Sequence, residues 1–349
     1  MSNQRSPHRR RSFTGDAALD AKVEEIVLGA GLERDADLAV DMLATVLRMA
    51  RQRTTRGDLK LISAALKEFA HAFRVFGPYR GVRKVSIFGS SRVTAEDPVA
   101  LCAEEFASRI VKEGWMVITG AGPGVMEAGQ RGAGAEHSFG LNIRLPLGSE
   151  VNPVIEADPK LINFRYFFTR KVTFLKESDA FVLLPGGFGT LDELFELLTL
   201  VQTGKSDIHP VVLLSPPGET YWREWRAIVE ERLAGRGLIS LDDLHLLHIT
   251  DDVEEAVREV VGFYRNYQSQ RYVDGLLVLR LRRAPPPEEL ARIHGEFGDL
   301  LESGVFEVVE ALPPEVADED ALDLERLAFR FNRRSYGRLR DLVNRLNEM

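Results

Sequence analysis

The apolar residues of this chain fall into two rhythms. Over Asp35–Gln52, Leu38, Met42, Leu43, Val46, Leu47 and Met49 recur at three- and four-residue intervals, a spacing that places side chains on one face of a helix. Gly57–Phe76 repeats the pattern with Leu61, Ala64, Leu66, Phe69 and Phe73, and Gly77-Pro78 closes the stretch. From Arg83 the rhythm changes to short apolar runs alternating with longer amphipathic ones. Val85–Phe88, Met116–Thr119, Gly140–Leu145, Ala180–Leu184 and Val211–Leu214 predict strands. Val99–Lys112, Val125–Gly134, Arg165–Glu177, Leu191–Gln202, Tyr221–Ala234 and Val253–Tyr267 predict helices. Strands alternating with helices imply a mostly parallel, doubly wound sheet with helices on both faces, an α/β fold.

Beyond Tyr267 the texture changes again. Tyr272–Leu281 predicts a strand, Glu288–Glu302 a helix entered through Pro285-Pro286-Pro287, and Val305–Ala311 another strand. An acidic turn through Asp318–Asp320 then leads to a final helix over Leu324–Leu346. The expected organisation is a tail over 1–15, an N-terminal helical region over 16–78, an α/β domain over 79–268, and a small C-terminal α+β appendage over 269–349.

Charge and composition narrow the function classes. The chain carries 45 Lys and Arg against 53 Asp and Glu, a formal charge of −8, so a phosphate polymer would meet repulsion over most of the surface and nucleic acid is not an expected partner. The lone Cys102 excludes an intramolecular disulfide and a multi-cysteine zinc site. His137, His209, His245 and His248 show no metal-ligand spacing, so no metal is expected. No run approaches the roughly 18 apolar residues of a membrane helix. Arg5, Arg9, Arg10 and Arg11 stand where a secretory signal would need an apolar stretch, and the reading is a disordered basic tail on a cytoplasmic protein.

The candidate chemistry lies at Pro185-Gly186-Gly187-Phe188-Gly189-Thr190-Leu191-Asp192-Glu193, between a predicted strand and a predicted helix. Glycines at such a turn leave backbone N–H groups uncovered, and the helix dipole adds partial positive charge at the same point, which makes a phosphate site. Glu193 then stands in the first helical turn, within reach of whatever the phosphate is attached to. Thr190 and Glu193 also read as a capping box, T-x-x-E, which needs no ligand. Three further segments converge on the same sheet edge: Gly89-Ser90-Ser91, the Gly120–Glu127 turn with Gly122, Gly124 and Met126, and Arg170-Lys171. Adjacent helical residues are about 100° apart, so one of Arg170 and Lys171 faces the ligand. Asn142 is a candidate base or ribose contact. The Gly120 turn fits neither dinucleotide nor Walker patterns, because Val125 stands where the third glycine belongs and no Gly-Lys-Ser/Thr follows. A mononucleotide suits a single phosphate nest better.

The phrases Gly122-Pro123-Gly124-Val125-Met126-Glu127-Ala128, Gly140-Leu141-Asn142-Ile143, Arg165-Tyr166-Phe167-Phe168, Arg170-Lys171 and Pro185–Glu193 resemble the LOG family, often mislabelled "lysine decarboxylase". The resemblance spans roughly residues 83–264. It implies a Rossmann-like fold and a phosphoribohydrolase that splits nucleoside 5′-monophosphates, AMP or cytokinin riboside monophosphates, into free base and ribose 5-phosphate. The family's catalytic arginine and glutamate fall on Arg170 and Glu193, with Gly186, Gly187, Gly189 and Thr190 holding phosphate. It implies no cofactor, and a homo-oligomer with a dimer as the minimum unit. A carboxylate under the ribose suits this chemistry, because breaking a ribosyl C–N bond builds positive charge on the sugar. In this reading Arg170 also holds Glu193 as an anion. A nucleotide-sensing module on the same fold is the competing class. Decarboxylation through a pyridoxal phosphate would need a Schiff-base lysine, for which Lys171 is the only nearby residue.

Overall fold

The computed structural model describes residues 14–32, 35–146 and 150–349, so the expected basic tail lies outside the described residues except for Thr14 and Gly15. The chain divides into two compact units between Lys67 and Glu68. In the first, α1 (Ala17–Gly29) and α2 (Ala36–Arg51) are followed by the start of α3 (Arg56–Phe76). The Asp16 carboxylate caps α1 by accepting from the Ala18 and Leu19 N–H groups. α1 and α2 pack together over Val23, Val27 and Ala44, while Ile26, Leu28, Met42, Val46 and Leu61 stay exposed.

In the second unit the chain alternates as the hydrophobic runs predict: β1 (Lys84–Phe88), α4 (Pro98–Lys112), β2 (Met116–Thr119), α5 (Val125–Ala133), β3 (Ser138–Ile143), β4 (Leu161–Phe164), α6 (Phe167–Glu177), β5 (Ala180–Leu183), α7 (Phe188–Gln202), β6 (Val211–Leu214), α8 (Tyr221–Arg232), β7 (Leu247–Thr250) and α9 (Val253–Gly262). Among the described residues these strands form one parallel seven-stranded sheet in the order β4-β3-β2-β1-β5-β6-β7. The winding direction reverses between β1 and β5, so the fold is a doubly wound, Rossmann-like α/β sheet. β1, β2, β3, β5 and β6 are buried almost throughout, which explains why they read as unbroken apolar runs. Hydrophobic periodicity does not mark β4 and β7. Both are four-residue edge strands with partly exposed positions, including Asn163 and His248, and those polar residues break the run.

The remainder is a four-stranded antiparallel sheet, ordered β10-β11-β9-β8, with its own helices. Its elements differ from the expected ones. The single strand expected over Tyr272–Leu281 is a hairpin of β8 (Tyr267–Val273) and β9 (Leu276–Leu281), turning at Asp274-Gly275, both at positive φ. α10 (Pro287–Phe297) is shorter than expected, and its expected last turns begin β10 (Leu301–Val309). After α11 (Pro313–Ala317), the expected final helix is instead β11 (Glu325–Phe331) followed by α12 (Tyr336–Asn347). In β11, Leu327, Phe329 and Phe331 enter the core on one face while Arg326 points to the other, a two-residue period hidden in a helix-like composition. One hydrophobic cluster includes Phe181 and Val212 of the parallel sheet together with Leu279, Phe329 and Leu342. Among the described residues no helix is long and apolar enough to cross a membrane.

Candidate functional site

Open α/β sheets offer a crevice where the winding reverses, outside the carboxyl ends of the strands. Here the reversal sets the loop after β1 beside the loop after β5, and the Ser90 N–H donates to the Pro185 carbonyl at 3.2 Å. A cleft of about 860 Å³ opens there. Gly89, Ser90, Met126, Arg170, Gly186, Gly187, Gly189, Thr190 and Glu193 line it, joined by Arg92, Gly120, Phe167, Phe174 and Phe188.

The glycine loop is shaped by close approaches. A Cβ at Gly186 would lie 2.2 Å from the Thr190 hydroxyl oxygen, so no side chain fits there. α7 starts at Phe188 with Gly187 as its N-cap, and no side chain caps it. The capping box expected from Thr190 and Glu193 therefore does not form, because the helix begins two residues earlier and places Thr190 inside its first turn. Its first N–H groups have no acceptor within the helix, which leaves them for a ligand. Phe188 projects into solvent at the mouth, 94% exposed.

Glu193 lies on the inward face of α7 and is 8% exposed. Burial pushes its carboxyl up from the usual range to about 7, against the opposing pull of Lys171 and then Arg170. The expectation that Arg170 holds Glu193 as an anion is therefore corrected: desolvation outweighs both cations. Arg170 enters from α6, with its guanidinium carbon 5.4 Å from the Phe167 ring centre and 5.6 Å from that of Phe174. Those rings hold the cation without occupying its N–H donors, and the buried Nε has no partner. Upstream, Glu68 fixes the start of α6 by accepting from the Arg165 N–H at 2.8 Å and the Thr169 hydroxyl at 2.5 Å.

Four singled-out residues do not line the cleft. Lys171 is turned onto the acids of α7, with its ammonium 2.7 Å from Asp192 and 2.5 Å from Glu196. Asn142 sits buried on β3 and donates to Asn163 on β4 at 2.7 Å, a cross-strand bond at a paired register. Gly122 and Gly124 build the neighbouring turn instead. Gly124 has φ +69°, and a Cβ there would fall 2.5 Å from the Ser90 carbonyl oxygen, so the two loops can approach only over glycine. Asn152, which the sequence does not single out, holds this turn by donating its side-chain amide to the Gly122 carbonyl and to Gln130. Arg92, Phe174 and Tyr221 also escape sequence reasoning, since none belongs to a glycine motif. Tyr221 donates its hydroxyl to the Gly186 carbonyl at 2.6 Å. Among the described residues no group of three or more His, Cys, Asp or Glu side chains could hold a metal ion.

Comparison with known proteins adds a lineage to this geometry. A family model described as "Possible lysine decarboxylase" matches residues 119–260. The chain is 30% identical over 179 residues to the cytokinin riboside 5′-monophosphate phosphoribohydrolase of Mycobacterium tuberculosis, covering 50% of this chain and 91% of that protein. It is 27% identical over 192 residues to cytokinin riboside 5′-monophosphate phosphoribohydrolase LOG1 of Arabidopsis thaliana, covering 53% and 86%. Among solved structures, the molybdenum cofactor carrier protein of Chlamydomonas reinhardtii aligns over 52% of this chain and 96% of its own at 25% identity, with a TM-score of 0.37.

Proposed function

Because this chain belongs to the LOG family, we propose that it is a phosphoribohydrolase that splits a purine nucleoside 5′-monophosphate into free base and ribose 5-phosphate. The observation that carries the reading is Glu193: a buried carboxyl with its pKa near 7, beside a guanidinium whose buried Nε has no partner, in a cleft floored by a glycine loop. In the reaction the C1′–N bond breaks, its electron pair leaves with the base, and the base takes a proton. Positive charge develops at C1′ and the ring oxygen, and ionised Glu193 stabilises it more than it stabilises the neutral sugar. Water adds to C1′, and Glu193 accepts its proton. Arg170 binds phosphate or ribose oxygens, and the α7 N-terminus binds the phosphate.

The finer reading is that the base is adenine or an N6-substituted adenine, which the apolar walls of Phe167, Phe174 and Met126 accommodate. A decarboxylase would need a lysine in the cleft, and none lines it; Lys171 is engaged by Asp192 and Glu196. The deciding experiment incubates the protein with AMP, a cytokinin riboside monophosphate, adenosine and lysine, and measures released base and carbon dioxide. Base from a monophosphate with little from adenosine supports the hydrolase. Binding without release would favour a sensor, and equal turnover of adenosine would remove the role of the phosphate nest.

The same reading makes the protein a homo-oligomer. Phe167, Phe168, Val172, Phe188 and Phe195, on α6 and α7 beside the cleft, are all exposed, and the first unit leaves a further set of apolar side chains in solvent. Light scattering is expected to give at least twice 39.1 kDa; a fully active monomer would contradict it.

A further inference from the structure

The hydroxyl of Tyr221 belongs to no glycine motif, yet it touches the glycine loop. Tyr221 opens α8, and the preceding turn is pinned by Glu219, whose carboxylate accepts from the Thr220 N–H at 2.8 Å and the Tyr221 N–H at 3.1 Å. Its ring packs edge-on against Trp222, with centroids 4.7 Å apart. Trp222 is itself buried and donates its indole N–H to the Leu214 carbonyl at 3.2 Å. The aromatic chain continues from Trp222 to Trp225 and on to Phe195 of α7. The phenol is therefore presented from a rigid support, and its bond to the Gly186 carbonyl is short, 2.6 Å.

A peptide unit is planar, and no cis bond occurs among the described residues, so the C=O of Gly186 and the N–H of Gly187 point in opposite directions. Two glycines in succession leave that plane free to rotate, since neither residue restricts its dihedrals through a Cβ. Gly187 lines the cleft, and its N–H has no protein acceptor among the described residues. We propose that Tyr221 is a positioning residue: by holding the Gly186 carbonyl away from the cleft, it fixes the Gly187 N–H as a donor for a phosphoryl oxygen of the substrate. Without the hydroxyl, the peptide samples orientations that withdraw this donor or turn the carbonyl dipole toward the phosphate.

This inference rests on the phosphate-binding part of the proposed function, and its test reads binding apart from hydrolysis. Ribose 5-phosphate is titrated calorimetrically into the wild type, Tyr221→Phe and Trp225→Phe. A typical net hydrogen bond predicts a three- to tenfold weaker Kd for Tyr221→Phe. Trp225→Phe, which keeps an aromatic ring in the support and leaves the hydroxyl in place, should bind as the wild type does. In turnover, KM for the nucleoside monophosphate should rise by the same factor at unchanged kcat, with any activity on the unphosphorylated nucleoside unaffected. A Tyr221→Phe variant with a lower Tm but wild-type affinity for ribose 5-phosphate would overturn the proposal. So would equal weakening by Trp225→Phe, or a wild type that does not bind ribose 5-phosphate. A wild type that binds it without releasing base from any nucleotide refutes the hydrolase reading alone, and the affinity ratio still decides the role of Tyr221.

Discussion

At Glu193 the demands of the proposed reaction and of stability oppose each other, because the same burial that raises the pKa of the carboxyl penalises its ionisation. The folded-state pKa near 7 lies above the ordinary 4.5. The native state therefore binds the proton more tightly than the unfolded chain does, and stability declines as pH rises from the ordinary carboxylate range to about 7. Glu193→Gln should remove that decline. Its Tm is expected to match the wild type near pH 4 and to exceed it by a few degrees at pH 8, an effect of up to about 3 kcal/mol. Turnover should fall by about 10²–10³ or more. Parallel melting curves across the pH range would show that the carboxyl is not strained. For the same reason kcat/KM should climb to a plateau above pH 7 along a one-proton limb. Lys171→Met, which removes the cation that most opposes the upward shift, should move that limb to higher pH; a downward shift would contradict the electrostatic assignment. The sequence makes the glycine loop, Arg170 and Glu193 legible, because those residue types are rare in such an order. It does not show that Lys171 turns away from the cleft, since a 100° step on a helix leaves open which of two neighbours faces inward. Arg92 reaches the cleft and Tyr221 the back of its glycine loop from segments brought in by the sheet, and no local spacing announces them.

At the scale of elements, the second sheet is held by a charge cluster rather than by apolar contacts alone. Glu315 of α11 is fully buried and accepts from Arg280 Nε and Nη2 at 2.9 and 2.8 Å, from Arg326 Nε at 3.1 Å, and from the Leu312 N–H at 3.2 Å. Burial pushes its carboxyl up, but the bonds from Arg280, Leu312 and Arg326 outweigh it and leave the pKa below the usual range. This contribution is therefore present above the ordinary carboxylate range and is lost only as pH falls through the lowered folded value. Glu315→Ala leaves the buried Arg326 guanidinium without a carboxylate and Arg280 with Asp320 alone, and should cost about 3–5 kcal/mol in denaturant unfolding at pH 7. A loss under 1 kcal/mol would mean that water and the existing Arg280–Asp320 pair are enough to hold the cluster. These contacts also explain why the C-terminal elements were the least legible. Arg280 and Arg326 read as surface residues, and their burial follows from a partner on α11. The Asp274-Gly275 hairpin carries a recognisable turn signal, whereas β11 has none and resembles the helix that follows it. In the parallel sheet the reverse holds: strands buried on both faces are announced by composition alone, and the half-exposed edges β4 and β7 are not.

For the second unit as a whole, the two sheets share one core, and this bears on what can be removed. Truncation after Gln268 would delete Leu279, Phe329, Leu342 and Val343 from the cluster that also packs Phe181 and Val212. It would also uncover Gly204, where Tyr336 stands so close that an added Cβ would lie 2.0 Å from its hydroxyl oxygen. Such a truncation should show no cooperative thermal transition. A folded, active fragment would demonstrate that the C-terminal sheet is dispensable.

The contact between the Ser90 N–H and the Pro185 carbonyl has a kinetic consequence. The cleft exists only once β1 and β5 are side by side, and the chain between them, which carries β2, β3 and β4 to the far flank, must be closed into a loop. Closing so long a segment is entropically slow, so the cleft should mature late on the folding route. A ligand seated there then has little to hold in the transition state. It should lengthen the lifetime of the native state, visible as a slower unfolding limb in a chevron experiment with ribose 5-phosphate, and leave the refolding limb in place. Faster refolding with ligand would mean that the β1–β5 junction belongs to the folding nucleus.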